Sequence, residues 1–338
     1  MRSITVSLTF LMLSPPALAH HSVTVFFDRN TTVEIEGTVT DIFWRNPHVS
    51  FTLAVVNDVG TTEEWDLEGG TTNTLIRRGF TAESVTIGER VKAAGAASRR
   101  GEPAIFVSHL LLPSGEEAIL SDRDLPLRWT SPSADETALA STADVTGSGI
   151  FKVWSRSLHR IRSSLVLTPA ALAARDAFDP RTDDPSLKCI PPGMPNAVLN
   201  PYPMELIDEG DRIIQRVEEW DARRVFHMSE DARSQTQVPS HLGYSIGRWN
   251  ENMLVVETTQ VAFPLLDADG TPMSENVSMV ERYTLSEDET RLKHEIVVTD
   301  SENMVEPAIW ESTWVYRPGV EIRPFECTLR DTVSPVYR

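Results

Sequence analysis

Residues 277–300 read V-S-M-V-E-R-Y-T-L-S-E-D-E-T-R-L-K-H-E-I-V-V-T-D, and this stretch decides the class of fold. Apolar and polar side chains alternate on both sides of the polar run Ser286 to Thr290, the period of two that a half-buried β-hairpin requires. With that run as the turn, Leu285 faces Leu292, Tyr283 faces His294, Glu281 faces Ile296 and Met279 faces Val298, so all eight side chains share one face. The face is mostly apolar and must look into a core. Glu281, Tyr283 and His294 then form a polar cluster on a core-side wall, with His294 opposite Tyr283 and diagonal to Glu281.

The alternation continues outward from this hairpin. Strand-like segments run Met204 to Ile207, Arg212 to Trp220, Arg223 to Met228, His241 to Trp249, Met253 to Thr259, Ile309 to Tyr316 and Ile322 to Leu329, separated by polar turns. Consecutive strands without helices between them exclude doubly wound and TIM-barrel folds. They fit an antiparallel, lipocalin-like barrel of a size that can hold one small ligand. Trp310 and Trp314 share a parity on their segment and supply an aromatic lining for such a cavity.

Toward the N-terminus, Val33 to Val39, Val49 to Val55 and Trp65 to Leu67 alternate in the same way. A short helix from Thr72 with Gly79 as its stop comes next, and Arg90 to Ala97 and Ala104 to Leu112 complete the set. Three strands, a helix and two strands is the order of an OB-like barrel. The chain is therefore expected to be mainly β, with a signal peptide over 1–19, an OB-like domain over 20–115, a linker over 116–165 and the larger barrel over 166–338. A second helix is expected from Pro169, with Thr168 as cap and Pro180 as stop.

The chain has 338 residues and a formal charge of −18, and only Lys92, Lys152, Lys188 and Lys293 are lysines. No basic run exists to hold a phosphate backbone, so nucleic acid and anionic membranes are poor partners. Arg2, the apolar run Ile4 to Leu13 and Ala17-Leu18-Ala19 have the three parts of a signal peptide, with cleavage expected after Ala19 and a periplasmic or secreted destination. No later stretch reaches the roughly 20 apolar residues of a membrane span, so no membrane insertion is expected. Cys189 and Cys327 are the only cysteines, and in an exported chain they are expected to pair.

Two further motifs bear on chemistry. Cleavage after Ala19 would expose His20 as an α-amine and imidazole together, and His21 or His48 would add nitrogen, a donor set that suits copper. A frayed terminus and a surface histidine explain the same residues without a metal. Gly243-Tyr244-Ser245-Ile246-Gly247 matches G-x-S-x-G, but a strand and not a helix follows it, so glycines at strand bends are the better reading than a serine nucleophile.

Ala19-His20-His21-Ser22, Glu36-Gly37-Thr38-Val39 and Trp44-Arg45-Asn46-Pro47-His48 resemble an uncharacterised family of exported bacterial proteins, and the resemblance runs to about residue 115. Leu187 to Pro195 and Gly243 to Trp249 look like a β-rich second domain that accompanies it. The resemblance implies export and fold, and no activity. The leading expectation from the residues is non-enzymatic binding of a small, partly apolar molecule in the larger barrel, oriented by Glu281, Tyr283 and His294 and packed by Trp310 and Trp314. Copper binding is the second expectation. Acid–base catalysis by the barrel cluster, of an isomerase or hydratase kind, is the third.

Overall fold

A computed structural model describes residues 23–121, 125–131, 147–200, 202–229, 231 and 237–329. The signal peptide, His20 and His21 lie outside the described residues. Fifteen strands are named here in chain order. The first six are β1 (Phe27–Phe43), β2 (Ser50–Val56), β3 (Thr62–Glu68), β4 (Arg90–Ser98), β5 (Ala104–Leu111) and β6 (Glu117–Ile119). A one-turn helix α1 (Val23–Phe26) precedes β1, and α2 (Thr72–Arg77) lies between β3 and β4. Thr71 caps α2 by accepting the Thr74 amide, as its place before an apolar turn demands.

These strands order as β3-β2-β1-β4-β5-β6, and β3 also pairs with β5 in parallel. The extra pairing closes β1 to β5 into the five-stranded ring of an OB-type barrel. Its core holds Val39, Phe51, Leu53, Leu67, Leu75, Ile105 and Val107, the apolar parity of the alternating segments.

The second unit comprises β7 (Val153–Arg162), β8 (Met204–Asp208), β9 (Arg212–Val217), β10 (Ala222–His227), β11 (Tyr244–Asn250), β12 (Met253–Thr259), β13 (Ser278–Leu285), β14 (Arg291–Thr299) and β15 (Ala308–Tyr316). Helix α3 (Pro169–Ala177), capped by Thr168, lies between β7 and β8. The nine strands close in the order β10-β11-β12-β13-β14-β15-β7-β8-β9. The β13–β14 register pairs Met279 with Val298, Glu281 with Ile296, Tyr283 with His294 and Leu285 with Leu292, as the alternation requires.

Two differences from the sequence reading concern where the strands fall. The stretch expected as linker, 116–165, carries β6 and β7, and β7 is a wall strand between β15 and β8. The segment Ile322 to Leu329 is no strand: Pro324 offers no N–H, the Arg323 and Phe325 amides and the Pro324 carbonyl go to side chains of other elements, and a single bridge joins Cys327 to Asn46. β7 thus takes the place expected of a C-terminal strand. A ring of nine strands also cannot be antiparallel throughout, because direction must alternate an even number of times. The odd junction is β10–β11, which is parallel and spans only Phe226↔Ser245 and His227↔Ile246.

Inside the barrel, Trp154, Met204, Phe226, Leu254, Val256, Leu292, Ile296, Trp310 and Trp314 form one buried cluster. A disulfide joins Cys189 and Cys327, at a sequence separation of 138. Among the described residues no helix is long and apolar enough to cross a membrane.

Candidate functional site

Seven consecutive wall strands each place a polar side chain in this apolar interior: Gln215 on β9, Arg224 on β10, Ser245 on β11, Thr258 on β12, Glu281 on β13, His294 on β14 and Ser312 on β15. All are buried. Each occupies the inward parity of its strand, so strand pairing sets them side by side, with Arg224 opposite Gln215, Ser245 opposite Thr258 and Ser312 opposite His294. Tyr283, two residues from Glu281 on the same face, completes the belt.

Glu281 is its hub. Arg224 donates to both carboxylate oxygens, from Nη2 to Oε2 at 2.6 Å and from Nη1 to Oε1 at 3.2 Å. The Tyr283 hydroxyl donates to Oε1 at 2.9 Å, and His294 Nε2 lies 3.1 Å from the same oxygen. Gln215 accepts from Arg224 Nη1 at 2.7 Å and donates to the Tyr283 oxygen at 3.1 Å. Ser245 and Thr258 each accept from Arg224 Nη2 at 3.2 Å. Tyr283 stacks on His294 with ring centroids 4.5 Å apart.

The electrostatics follow from these contacts. Burial pushes the Glu281 carboxyl up, but the charge of Arg224 and the bonds from His294 and Arg224 outweigh it and hold the group below the ordinary carboxylate range. Burial and the Glu281 charge raise the Tyr283 phenol well above its usual value, so it stays protonated and donates. Burial opposes the charge on Arg224, and Glu281 more than restores it. Arg224 and Glu281 are therefore a buried cation and anion in mutual contact, the arrangement in which buried charges persist. Arg224 Nε, His294 Nδ1 and the Ser312 hydroxyl have no hydrogen-bond partner among the described residues.

A cavity of about 570 Å³ opens beside this belt. It occupies the gap where β10 and the chain entering β11 diverge from their two-residue parallel pairing. Arg224 and Ser245 line it, together with Ala222, Val225, Leu242 and Tyr244. His227, also on its wall, stacks near Tyr244 at 4.8 Å, and burial together with Arg212 holds its imidazole below the ordinary histidine value. A second cavity of about 320 Å³ is lined by Arg162 and Trp310, and the two cavities share Pro192, Glu219 and Trp220.

Trp220 and Asp221 both have left-handed backbones, with φ of 59° and 51°. For a non-glycine residue that conformation costs of order 1 kcal/mol, and it persists where surrounding contacts enforce it. Here Asp221 accepts the Phe325 amide at 3.2 Å, and the Phe325 ring lies 5.2 Å from that of Trp220.

The structure joins Glu281, Tyr283 and His294 in one bonded cluster. Trp310 and Trp314 are buried on the inward face of β15, Trp310 against the Arg162 guanidinium at 5.6 Å. His48 lies apart from the barrel, with Nδ1 3.0 Å from the Gly69 carbonyl. Among the described residues no group of three or more His, Cys, Asp or Glu is placed to hold a metal. Ser245 is a belt member on a strand. Gly243 before it has φ +70° and approaches the Thr259 carbonyl so closely that a Cβ would stand 2.7 Å away, which accounts for the first glycine of G-x-S-x-G.

The sequence reading missed Gln215, Arg224, Thr258 and Ser312. A signal existed, since Gln215 shares a parity with Ile213 and Val217, and Arg224 with Phe226. A polar residue at an apolar position of a strand marks an interior network.

The molecule is thus a mainly β protein of two barrels, the larger with a polar interior belt and a cavity at its parallel seam. Residues 9–105 match a family of unknown function (DUF6152). Among solved structures, the chain is similar to a secretary abundant heat soluble (SAHS) protein from Ramazzottius varieornatus. The identity is 11%, the match covers 50% of this chain and 96% of that one, and the TM-score is 0.27. No curated protein matches the chain.

Proposed function

We propose that the protein is an exported small-molecule-binding protein whose ligand occupies the cavity at the β10–β11 seam. The observation that carries this reading is the cavity itself: about 570 Å³, partly apolar in lining, and reaching Arg224 and Ser245 of the interior belt. A few placed polar groups in an otherwise apolar concavity are the ordinary make-up of a small-ligand site. Glu281, Tyr283 and His294 then act behind the ligand, holding Arg224 and its neighbours in place, while Trp310 lines the second cavity and Trp314 packs in the barrel core. Export is supported by the signal-like first nineteen residues and by the Cys189–Cys327 disulfide.

The test is native mass spectrometry of the full chain purified from the compartment to which it is exported, followed by titration with an anilinonaphthalene fluorophore. We expect an organic adduct that is lost on denaturation and a fluorophore site that the adduct blocks. Ala222→Trp, which fills the cavity, should abolish the fluorophore signal. A bare polypeptide that binds the fluorophore equally well with and without that substitution would overturn the reading.

A further inference from the structure

Strand β10 turns a length of unpaired sheet edge to the seam cavity. The Met228 amide donates to the Asp211 carbonyl at 2.9 Å, and the β9–β10 pairing runs on in the same register from His227↔Arg212 to Ala222↔Val217. In an antiparallel pair, residues that exchange both bonds alternate with residues whose N–H and C=O point away. Ala222, Arg224 and Phe226 therefore bond β9, and Arg223, Val225 and His227 turn their backbone groups to the seam. The chain entering β11 reaches that edge late, because Gly243, at φ +70°, turns it with its amide on the Ser240 carbonyl. β11 pairs only at Phe226↔Ser245 and His227↔Ile246, so the Arg223 N–H and C=O and the Val225 N–H have no hydrogen bond among the described residues. Arg223 and Val225 both line the cavity.

We propose, resting on the reading of that cavity as a ligand site, that the ligand is a short extended peptide that adds to the free edge of β10 by main-chain hydrogen bonds. The edge offers a donor and an acceptor on Arg223 and a second donor two residues on, and an extended peptide carries the complementary groups at the same spacing. Such an edge is a template for a further strand. The site also sets the length. The left-handed Trp220–Asp221 turn bounds it at one end and the Phe226↔Ser245 pairing at the other. Residues 222–225 span roughly 13 Å at about 3.3 Å per residue, room for about three or four residues and short of the roughly five or six of a strand in a folded partner. The cavity of about 570 Å³ is of small-ligand size, and Ala222, Val225 and Leu242 on its wall suit apolar side chains at alternate positions of the peptide.

The experiment incubates the full mature chain with a synthetic pool of tetrapeptides capped at both ends, in which valine, leucine or phenylalanine alternates with serine or threonine. Native mass spectrometry identifies the retained peptides, which should displace the anilinonaphthalene fluorophore. The best-retained peptide is then remade with a methyl group on one amide nitrogen at a time. Methylation should weaken binding about ten-fold at the single amide that meets the Arg223 carbonyl, the worth of one hydrogen bond, and be tolerated at the neighbouring amides, which point away. Hydrogen exchange followed by nuclear magnetic resonance gives a readout on the protein itself. The Arg223 and Val225 amides should exchange quickly in the free chain and at least about ten-fold more slowly in the complex, whereas the Arg224 amide, bonded to β9, is slow in both. Equal tolerance of methylation at every amide, or Arg223 and Val225 amides already slow in the free chain, would overturn the edge pairing and leave the cavity reading intact. So would a fluorophore site that no peptide of the pool enters. If neither fluorophore nor peptide binds, the cavity reading and the peptide proposal fall together.

Discussion

Arg77, on the short helix of the OB-type barrel, donates to the fully buried carboxylate of Glu218 from both terminal nitrogens, with Nη1 2.8 Å from Oε1. Glu218 immediately precedes Glu219, Trp220 and Asp221, which line the seam cavity. The same carboxylate accepts the Arg323 amide at 3.0 Å, and Arg77 also donates to the Glu321 carbonyl. One side chain of the first barrel thus fixes both the cavity turn and the C-terminal segment that leans on it.

Removing Arg77 leaves a buried carboxylate whose remaining hydrogen bond among the described residues is the Arg323 amide. Arg77→Ala should therefore lower the unfolding free energy by about 3 kcal/mol, the usual cost of breaking one side of a buried pair. Urea denaturation followed by tryptophan fluorescence would read it. A loss below about 0.5 kcal/mol would mean that Glu218 rehydrates and the link is a surface one.

The Arg224–Glu281 pair gives a sharper case, because both partners are buried. Glu281→Gln should cost about 3–5 kcal/mol, since it strands the guanidinium in the interior. Arg224→Met/Glu281→Met should recover at least half of that, because both charges leave together. A double-mutant cycle built from denaturation curves measures the coupling. Additive losses would show that the pair does not act as a unit.

How much of this was legible beforehand divides along the lines of range. The β13–β14 hairpin could be read residue by residue, because a tight turn fixes register and alternation fixes the face. β7 could not, since a strand that closes a barrel from before its own helix has no local partner to declare it. The Asn46 of the Trp-Arg-Asn-Pro-His motif is a similar case. Its Oδ1 accepts from the Thr72 amide at 3.0 Å, its Nδ2 donates to the Phe325 carbonyl, and its carbonyl accepts the Thr328 amide. Nothing near it in sequence signals a contact 279 residues away. The belt was half legible: Glu281, Tyr283 and His294 lie on one hairpin, whereas Arg224 joins them only when the ring closes.

The depressed carboxyl of Glu281 fixes the direction of the acid response. Its folded value lies below the unfolded 4.5, so the folded state prefers the ionised form, and the stabilisation is complete above the unfolded value. It is lost progressively as the pH falls toward the folded value. Unfolding free energy should be level from pH 7 to about 5 and decline below about 4.5. Glu34, lowered to about 2 by Lys92 and Arg128, adds little because it sits at the surface. The decline should be shallower in Arg224→Met/Glu281→Met, measured by urea midpoints at a series of pH values. An identical slope in the two proteins would remove Glu281 as its source.

The disulfide connects the same region from the other side. Cys327 follows Phe325 by two residues, and Phe325 both packs on Trp220 and donates its amide to Asp221. Cross-linking a loop of 138 residues restricts the unfolded chain by roughly 4–5 kcal/mol on the entropy model, so Cys189→Ala/Cys327→Ala should lose most of that in urea denaturation. A local consequence should precede global unfolding. Without the cross-link, the segment 321–328 keeps its hydrogen bonds to Arg77, Asn46, Asn73, Glu218 and Asp221 but loses its covalent tie, and the left-handed turn at Trp220 and Asp221 loses part of what enforces it. Ligand affinity at the seam should then fall several-fold under conditions where circular dichroism still reports a folded barrel, whereas Thr182→Ala, a change at an exposed site away from the segment, should leave affinity unchanged. Retained affinity in the cysteine-free protein would show that the hydrogen bonds suffice to shape the cavity and that the disulfide serves stability alone.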